Sequence, residues 1–216
     1  MPYNRRKIVT KKKLGLLLII MGIMLIAAAL SLNYYNYFHE KQSNKRMEAV
    51  LSDLKTQISD SAGDSDSSSP FDIFDDSRST DSEIDDPDKD IVLDGNSYIG
   101  LISFPTLGQE FPVTRGWSYA AMNTAACQYS GRRVDNDLII CAHNYTGFFD
   151  KLSSGDEVIF TDVYGREFNY TVTNSELLSG WDSPSLIKGG GSDWDLTLFT
   201  CTWSGYSRVT VRLVYS

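Results

Sequence analysis

Histidine is scarce in this sequence and cysteine nearly so: 216 residues carry two of the first and three of the second. The stretch with the composition of a folded domain holds one histidine, scattered acids and no clustered cysteines. That is no metal-ligand set, and no cofactor is expected. A basic face is missing too. The formal charge of −8 is uneven: residues 1–13 carry six Lys or Arg and no acid, residues 60–90 carry twelve acids against Arg78 and Lys89, and from 91 onward thirteen acids face eight bases. The acidity therefore belongs mainly to one segment, and nothing points to a nucleic-acid partner.

Charge is absent altogether from Leu14 to Leu32, nineteen residues. As a helix this run spans roughly 28 Å, close to the roughly 30 Å hydrocarbon core of a bilayer. Lys11, Lys12 and Lys13 abut it, with Arg5, Arg6 and Lys7 behind, so the positive-inside rule places residues 1–13 in the cytoplasm as a basic tail. Everything after Leu32 is then extracellular, on a single-pass protein of the cell membrane. Tyr34, Tyr35, Tyr37 and Phe38 form an aromatic belt at the exit, beside His39. The competing reading is a cleaved signal peptide, for which Ala27-Ala28-Ala29 offers a small-residue site. A run this long, followed by an interfacial belt, favours the uncleaved anchor.

Residues 33–59 continue as the belt and a short juxtamembrane helix, whose stripe is Met47, Val50, Leu51, Leu54 and Ile58. Residues 60–90 are Ser- and Asp-rich and are expected to form a disordered acidic linker. Its one apolar island, Pro70-Phe71-Asp72-Ile73-Phe74-Asp75, is either accidental or a lid-like segment that docks on the folded domain.

Residues 91–216 alternate short β-like runs with turn signals, the pattern of an all-β sandwich or closed barrel. Strands are expected at Tyr98–Ser103, Glu110–Thr114, Asn136–Ala142, Glu157–Thr161, Arg166–Thr173, Leu196–Cys201 and Arg208–Tyr215. Short helices are expected at Ser118–Cys127 and Gly147–Leu152. Cys127 and Cys141 read as small buried residues, with a disulfide between them as the alternative. Cys201 is left to explain. It ends one strand of a hairpin whose second strand begins at Arg208, so the two stand opposite each other, about 5 Å apart at Cβ. A cation beside a thiol favours the nucleophilic thiolate. The domain's only histidine, His143, follows the apolar run Leu138-Ile139-Ile140-Cys141-Ala142 directly, at a strand end. Taken alone, it has a structural reading as well as a catalytic one.

Ala142-His143-Asn144, then Thr197-Leu198-x-Thr200-Cys201, then Arg208 on the following strand: in this order and spacing the residues resemble the sortases, membrane-anchored cysteine transpeptidases of Gram-positive cell envelopes. The resemblance covers about 120 residues, from Ile99-Gly100-Leu101-Ile102 to the C-terminus, and assigns no subclass. It implies a single closed eight-stranded β-barrel with short helices and a groove that binds a Leu-Pro-x-Thr-Gly-like sorting signal. Cys201 would be the nucleophile, His143 the general acid and base, and Arg208 the group that stabilises the oxyanion or holds the substrate. The implied partners are surface proteins bearing the signal and an amine acceptor from a peptidoglycan precursor or a pilin. Arg212 lies four residues further along the strand, roughly 13 Å from the turn, and is the poorer partner for Cys201. Calcium activation, known in some relatives, needs a carboxylate cluster, which Asp156, Glu157 and Asp162 do not establish. Two alternatives remain: a cysteine peptidase that releases the acyl group to water, and an anchored β-barrel that binds without chemistry.

Overall fold

The structure, a computed structural model, describes residues 5–63, 86, 89–144, 149–182, 184–187, 193–202 and 204–216. Most of the acidic linker, with its apolar island at 70–75, lies outside the described residues. The chain divides into two compact units, Met1–Ser43 and Asn44–Ser216.

The first unit is helical, formed by the opening part of α1 (Arg5–Gly63). Its segment Leu14–Tyr35 reaches a mean hydropathy of 2.7 over an 18-residue window, none of which is buried within the chain. Leucine, isoleucine and methionine point outward on every side, which water penalises and hydrocarbon does not. It is a candidate membrane span.

Among the described residues, the second unit is built around nine strands: β1 (Ile91–Leu93), β2 (Asn96–Phe104), β3 (Gln109–Thr114), β4 (Ala126–Ser130), β5 (Leu138–Ala142), β6 (Glu157–Asp162), β7 (Glu167–Ser179), β8 (Leu196–Cys201) and β9 (Ser207–Tyr215). They form one sheet in the order β1-β2-β3-β4-β5-β8-β9-β7-β6, and β6 pairs back onto β2. Strands β2 to β9 therefore close an eight-stranded barrel, and β1 is a short hairpin arm added outside it. Closure demands a close approach at Gly100, where β2 shifts register between Tyr98 and Gly100. Its φ is +146°, and a Cβ there would stand 2.1 Å from the Thr161 carbonyl oxygen, so only glycine fits.

Alternation along each strand sends one set of side chains inward. Ile102, Phe104, Leu138, Ile140, Val158, Phe160, Leu196, Leu198, Val211 and Leu213 fill the barrel. Outside it, the second half of α1 covers β1 and β2. Leu54, fully buried, and Ile58 pack with Tyr98, Leu101 and Ala125, and Val50 and Leu51 flank them. Lys55 pairs with Glu110 at the edge of this contact. The apolar stripe of the juxtamembrane helix is thus spent on the barrel wall, each fully buried side chain contributing about 1.5–3 kcal/mol.

One local expectation is corrected. Ser118–Cys127 is not a helix: it holds a single 3-10 turn, Ala121–Asn123, and then enters β4, which pairs with β3 and β5. Alanine's helix preference is a few tenths of a kcal/mol per residue, less than a place in the closed sheet supplies. Around Gly147–Leu152, a 3-10 turn occupies Phe149–Lys151, and residues 145–148 lie outside the described residues.

Candidate active site

Three strands, β5, β8 and β9, carry the site, and their register decides what meets what. Strand β8 runs parallel to β5, with Ala142 paired to Thr200. It runs antiparallel to β9, with Cys201 paired to Arg208. One step beyond the last β5–β8 pair stand His143 and Cys201. His143, Cys201 and Arg208 therefore lie in one row across three adjacent strands, spaced by about 4.8 Å per strand.

Side-chain alternation puts this row on the outer sheet face, because Leu196 and Leu198 point into the barrel while Thr197, Phe199 and Cys201 point away from it. Below the first row is a second, Cys141, Phe199 and Thr210, and below that a third, Ile139, Thr197 and Arg212. Each residue of the Thr-Leu-x-Thr-Cys motif thereby has a place. Thr197 accepts a hydrogen bond from Arg212, Leu198 packs in the core, Phe199 lies beneath the thiol, Thr200 is buried, and Cys201 reaches the exposed rim.

A cavity of about 430 Å³ opens above these rows, within the size range of small-ligand sites. Cys201, His143 and Arg208 line it, with Asn144 and Thr202 at the rim and an apolar wall of Trp117, Tyr119, Met122 and Tyr129. Among the described residues, no acidic side chain lines it. The aromatic wall is the part that sequence reasoning missed. Tyr119 and Met122 lie in the stretch read as a helix, Trp117 and Tyr129 flank it, and the four become neighbours only when β4 joins the sheet beside β5. Trp117 packs on Tyr129 at 5.9 Å between ring centroids, and Tyr129 meets Phe199 edge-on at 5.1 Å.

The three thiols differ in setting. Cys127 and Cys141 are paired across β4 and β5, buried and unbridged, while Cys201 is exposed. A hydrogen bond with Cys127 and burial together push the Cys141 thiol up, so it stays protonated and inert at neutral pH. His143 is half-buried with Nδ1 shielded from solvent, and burial holds the imidazole below the usual histidine value. Its hydrogen bond with Asn144 opposes that shift in part.

The two arginines of β9 contrast sharply. Arg212 is buried, bonded to Glu176 Oε1 at 3.0 Å, the Leu186 carbonyl at 3.1 Å, Thr197 Oγ1 at 2.9 Å and the Ser185 carbonyl. It clamps the turn Pro184–Leu186 onto the sheet. Arg208 lies over the Phe199 ring, 5.3 Å from its centroid, and its buried Nη1 has no hydrogen-bond partner among the described residues. Of the carboxylates weighed for calcium, Asp156 accepts hydrogen bonds from the Ser153 amide and from Thr106 Oγ1. Asp162 pairs with Arg166. Among the described residues, no group of three His, Cys, Asp or Glu is placed to hold a metal.

A closed eight-stranded barrel with an exposed thiol at the rim of an outer-face cleft defines a class of all-β proteins equipped for thiol chemistry. The sortase-domain family model matches residues 102–216, more than half of the chain, and the chain belongs to the sortase family, whose members are cysteine transpeptidases. Solved sortase structures are similar to the chain. Sortase A from Corynebacterium diphtheriae is 24% identical, with a TM-score of 0.50 over 56% of this chain and 61% of that one. The Clostridium perfringens sortase D5 transpeptidase is 22% identical, with a TM-score of 0.48 over 55% of this chain and 79% of that one. Sortase C1 from Streptococcus agalactiae is 24% identical, with a TM-score of 0.49 over 58% of this chain and 70% of that one. No curated protein sequence matches the chain.

Proposed function

We propose that the protein is a membrane-anchored transpeptidase that cleaves a Leu-Pro-x-Thr-Gly-like sorting signal and transfers the resulting acyl group to an amine. The observation that carries this reading is the row His143, Cys201, Arg208 along one wall of an open cleft. The Cys201 thiolate attacks the carbonyl carbon after the signal's Thr, and the negative charge gathers on the former carbonyl oxygen. Arg208, which lines the cleft and has no carboxylate partner among the described residues, is suited to stabilise that oxygen. As the C–N bond breaks, the His143 imidazolium gives its proton to the departing amine, leaving a thioester on Cys201. The acceptor amine then returns a proton to His143, attacks the thioester and releases the thiolate. The acceptor is a peptidoglycan precursor or a pilin subunit. The span Leu14–Tyr35 anchors the chain with residues 1–13 in the cytoplasm and the barrel outside. No cofactor takes part in this scheme.

Incubation of the full-length chain with a panel of Leu-Pro-x-Thr-Gly-like peptides and amines tests the reading by mass spectrometry. An acyl adduct on Cys201, lost in Cys201→Ala and resolved into amide by added amine, is the expected result. An adduct resolved only by water makes the protein a peptidase. No adduct with any peptide in a folded sample makes it a binding module.

A further inference from the structure

We infer that Phe199, the variable residue of the Thr-Leu-x-Thr-Cys strand, is the positioning residue that aims Arg208 at the cleft, an inference that rests on Arg208 having the role proposed above. Arginines in folded proteins are commonly aimed by carboxylates or carbonyls, as Arg212 is. Around Arg208 such partners are missing among the described residues. Its strand neighbours are Cys201 on β8 and Leu178 on β7, and the nearby carboxylate, Glu176, is engaged by Arg212. What the guanidinium does have is the Phe199 ring, two residues before the nucleophile on the same sheet face. An aromatic face attracts a cation through its quadrupole without consuming an N–H donor. It can therefore orient the guanidinium while consuming none of its N–H donors. A carboxylate in the same place would orient it and occupy the donors that the oxyanion needs.

The ring itself is held. Phe199 is buried with Cys127, Ile139, Cys141 and Leu186, and Tyr129 presses against it edge-on at 86°. Trp117 backs Tyr129, so the aromatic wall of the cleft ends on the residue beneath Arg208. A purely space-filling Phe199 would be replaceable by an aliphatic residue of similar size. A positioning Phe199 would be replaceable only by another aromatic.

Two measurements on the full-length chain in lipid nanodiscs separate these. In the first, the rate of acyl-enzyme formation is followed with a cleavable peptide. Phe199→Leu is expected to lower kcat about tenfold with KM within about twofold, and Phe199→Tyr and Phe199→Trp to stay within about twofold of the parent. In an Arg208→Ala background, Phe199→Leu is expected to change kcat less than about twofold, because the residue acts through Arg208. Full activity of Phe199→Leu, or an equal loss in both backgrounds, overturns the inference. Should Phe199→Leu fail to fold, Phe199→Met supplies the aliphatic variant.

In the second, the Arg208 Nε–H proton resonance is compared by NMR. A ring-current upfield shift that Phe199→Tyr keeps and Phe199→Leu or Phe199→Met loses is expected. A resonance that ignores the substitution overturns the stacking. This second measurement needs no substrate, so it decides the Phe199–Arg208 pairing even if no peptide acylates the wild-type protein.

Discussion

Arg208 and Arg212 leave the same face of the same strand four residues apart, and the chain treats them in opposite ways. Arg212 is surrounded by acceptors: a carboxylate, a hydroxyl and two carbonyls satisfy its donors, and Trp194 lies under its guanidinium at 4.3 Å. Arg208 is held by an aromatic ring and, among the described residues, keeps a donor unmatched. A buried charge is tolerated only when paired and hydrogen-bonded, so the first arrangement is what stability asks for. The second leaves binding capacity unspent at the rim of a cleft, beside an exposed thiol. Saturation marks the structural arginine and incompleteness marks the site arginine.

The largest effects should come from breaking each arginine in turn. Arg208→Ala is expected to lower kcat for acyl-enzyme formation about a hundred- to thousandfold, the usual consequence of removing an oxyanion donor, with little change in unfolding midpoint. Arg212→Ala leaves two carbonyls and Thr197 Oγ1 without their donor inside the sheet. It is expected to cost about 3 kcal/mol in urea unfolding while the folded fraction keeps acylating. An inactive Arg212→Ala beside an active Arg208→Ala would reverse the assignment.

The third effect is a control on that comparison. Leu54→Ala removes a fully buried side chain between α1 and the barrel's outer wall, away from all three site strands. A loss of about 2–5 kcal/mol in unfolding free energy is expected, with kcat for the folded protein unchanged. If kcat also falls, destabilisation alone reaches the site, and the Arg208 result loses its meaning.

How much of this could be read from the sequence depends on how local each feature is. The β8–β9 hairpin was legible because its strands alternate Thr, Val and Leu, and its turn brackets Cys201 and Arg208. The stripe from Met47 to Ile58 was legible as a helix face, but periodicity names a face and not its partner, so its docking on Tyr98 and Leu101 was not. Strand β4 was hidden because Ala126-Cys127-Gln128-Tyr129-Ser130 has neither β-branched residues nor clean alternation; only pairing with β3 and β5 makes it a strand. Strand β7 runs to Ser179, past the expected Thr173, because Asn174, Ser175 and Glu176 are polar yet pair with β9. The aromatic wall and the Phe199–Arg208 contact depend on those same long-range pairings. The site's order in sequence was readable. The reason Arg208 differs from Arg212 was visible only in three dimensions.

The smallest effect concerns the proton rather than the guanidinium. Burial lowers the pKa of His143, so the folded chain binds its proton less readily than the unfolded chain does. In the window from about pH 6.5, the value of an unperturbed histidine, down to the lower folded value, the unfolded state carries more protons. Stability should rise with pH through that window, and the contribution should be fully present above 6.5 and lost as pH falls below the folded value. The imidazole is then mostly neutral at pH 7, and the supply of imidazolium for the departing amine limits acylation as pH rises. An NMR titration of the His143 ring is expected to give a midpoint below 6.5, and His143→Gln should flatten the stability slope across the window. A midpoint at or above 6.5 would mean that the row's third member is not held in the buried setting that distinguishes it from an ordinary surface histidine.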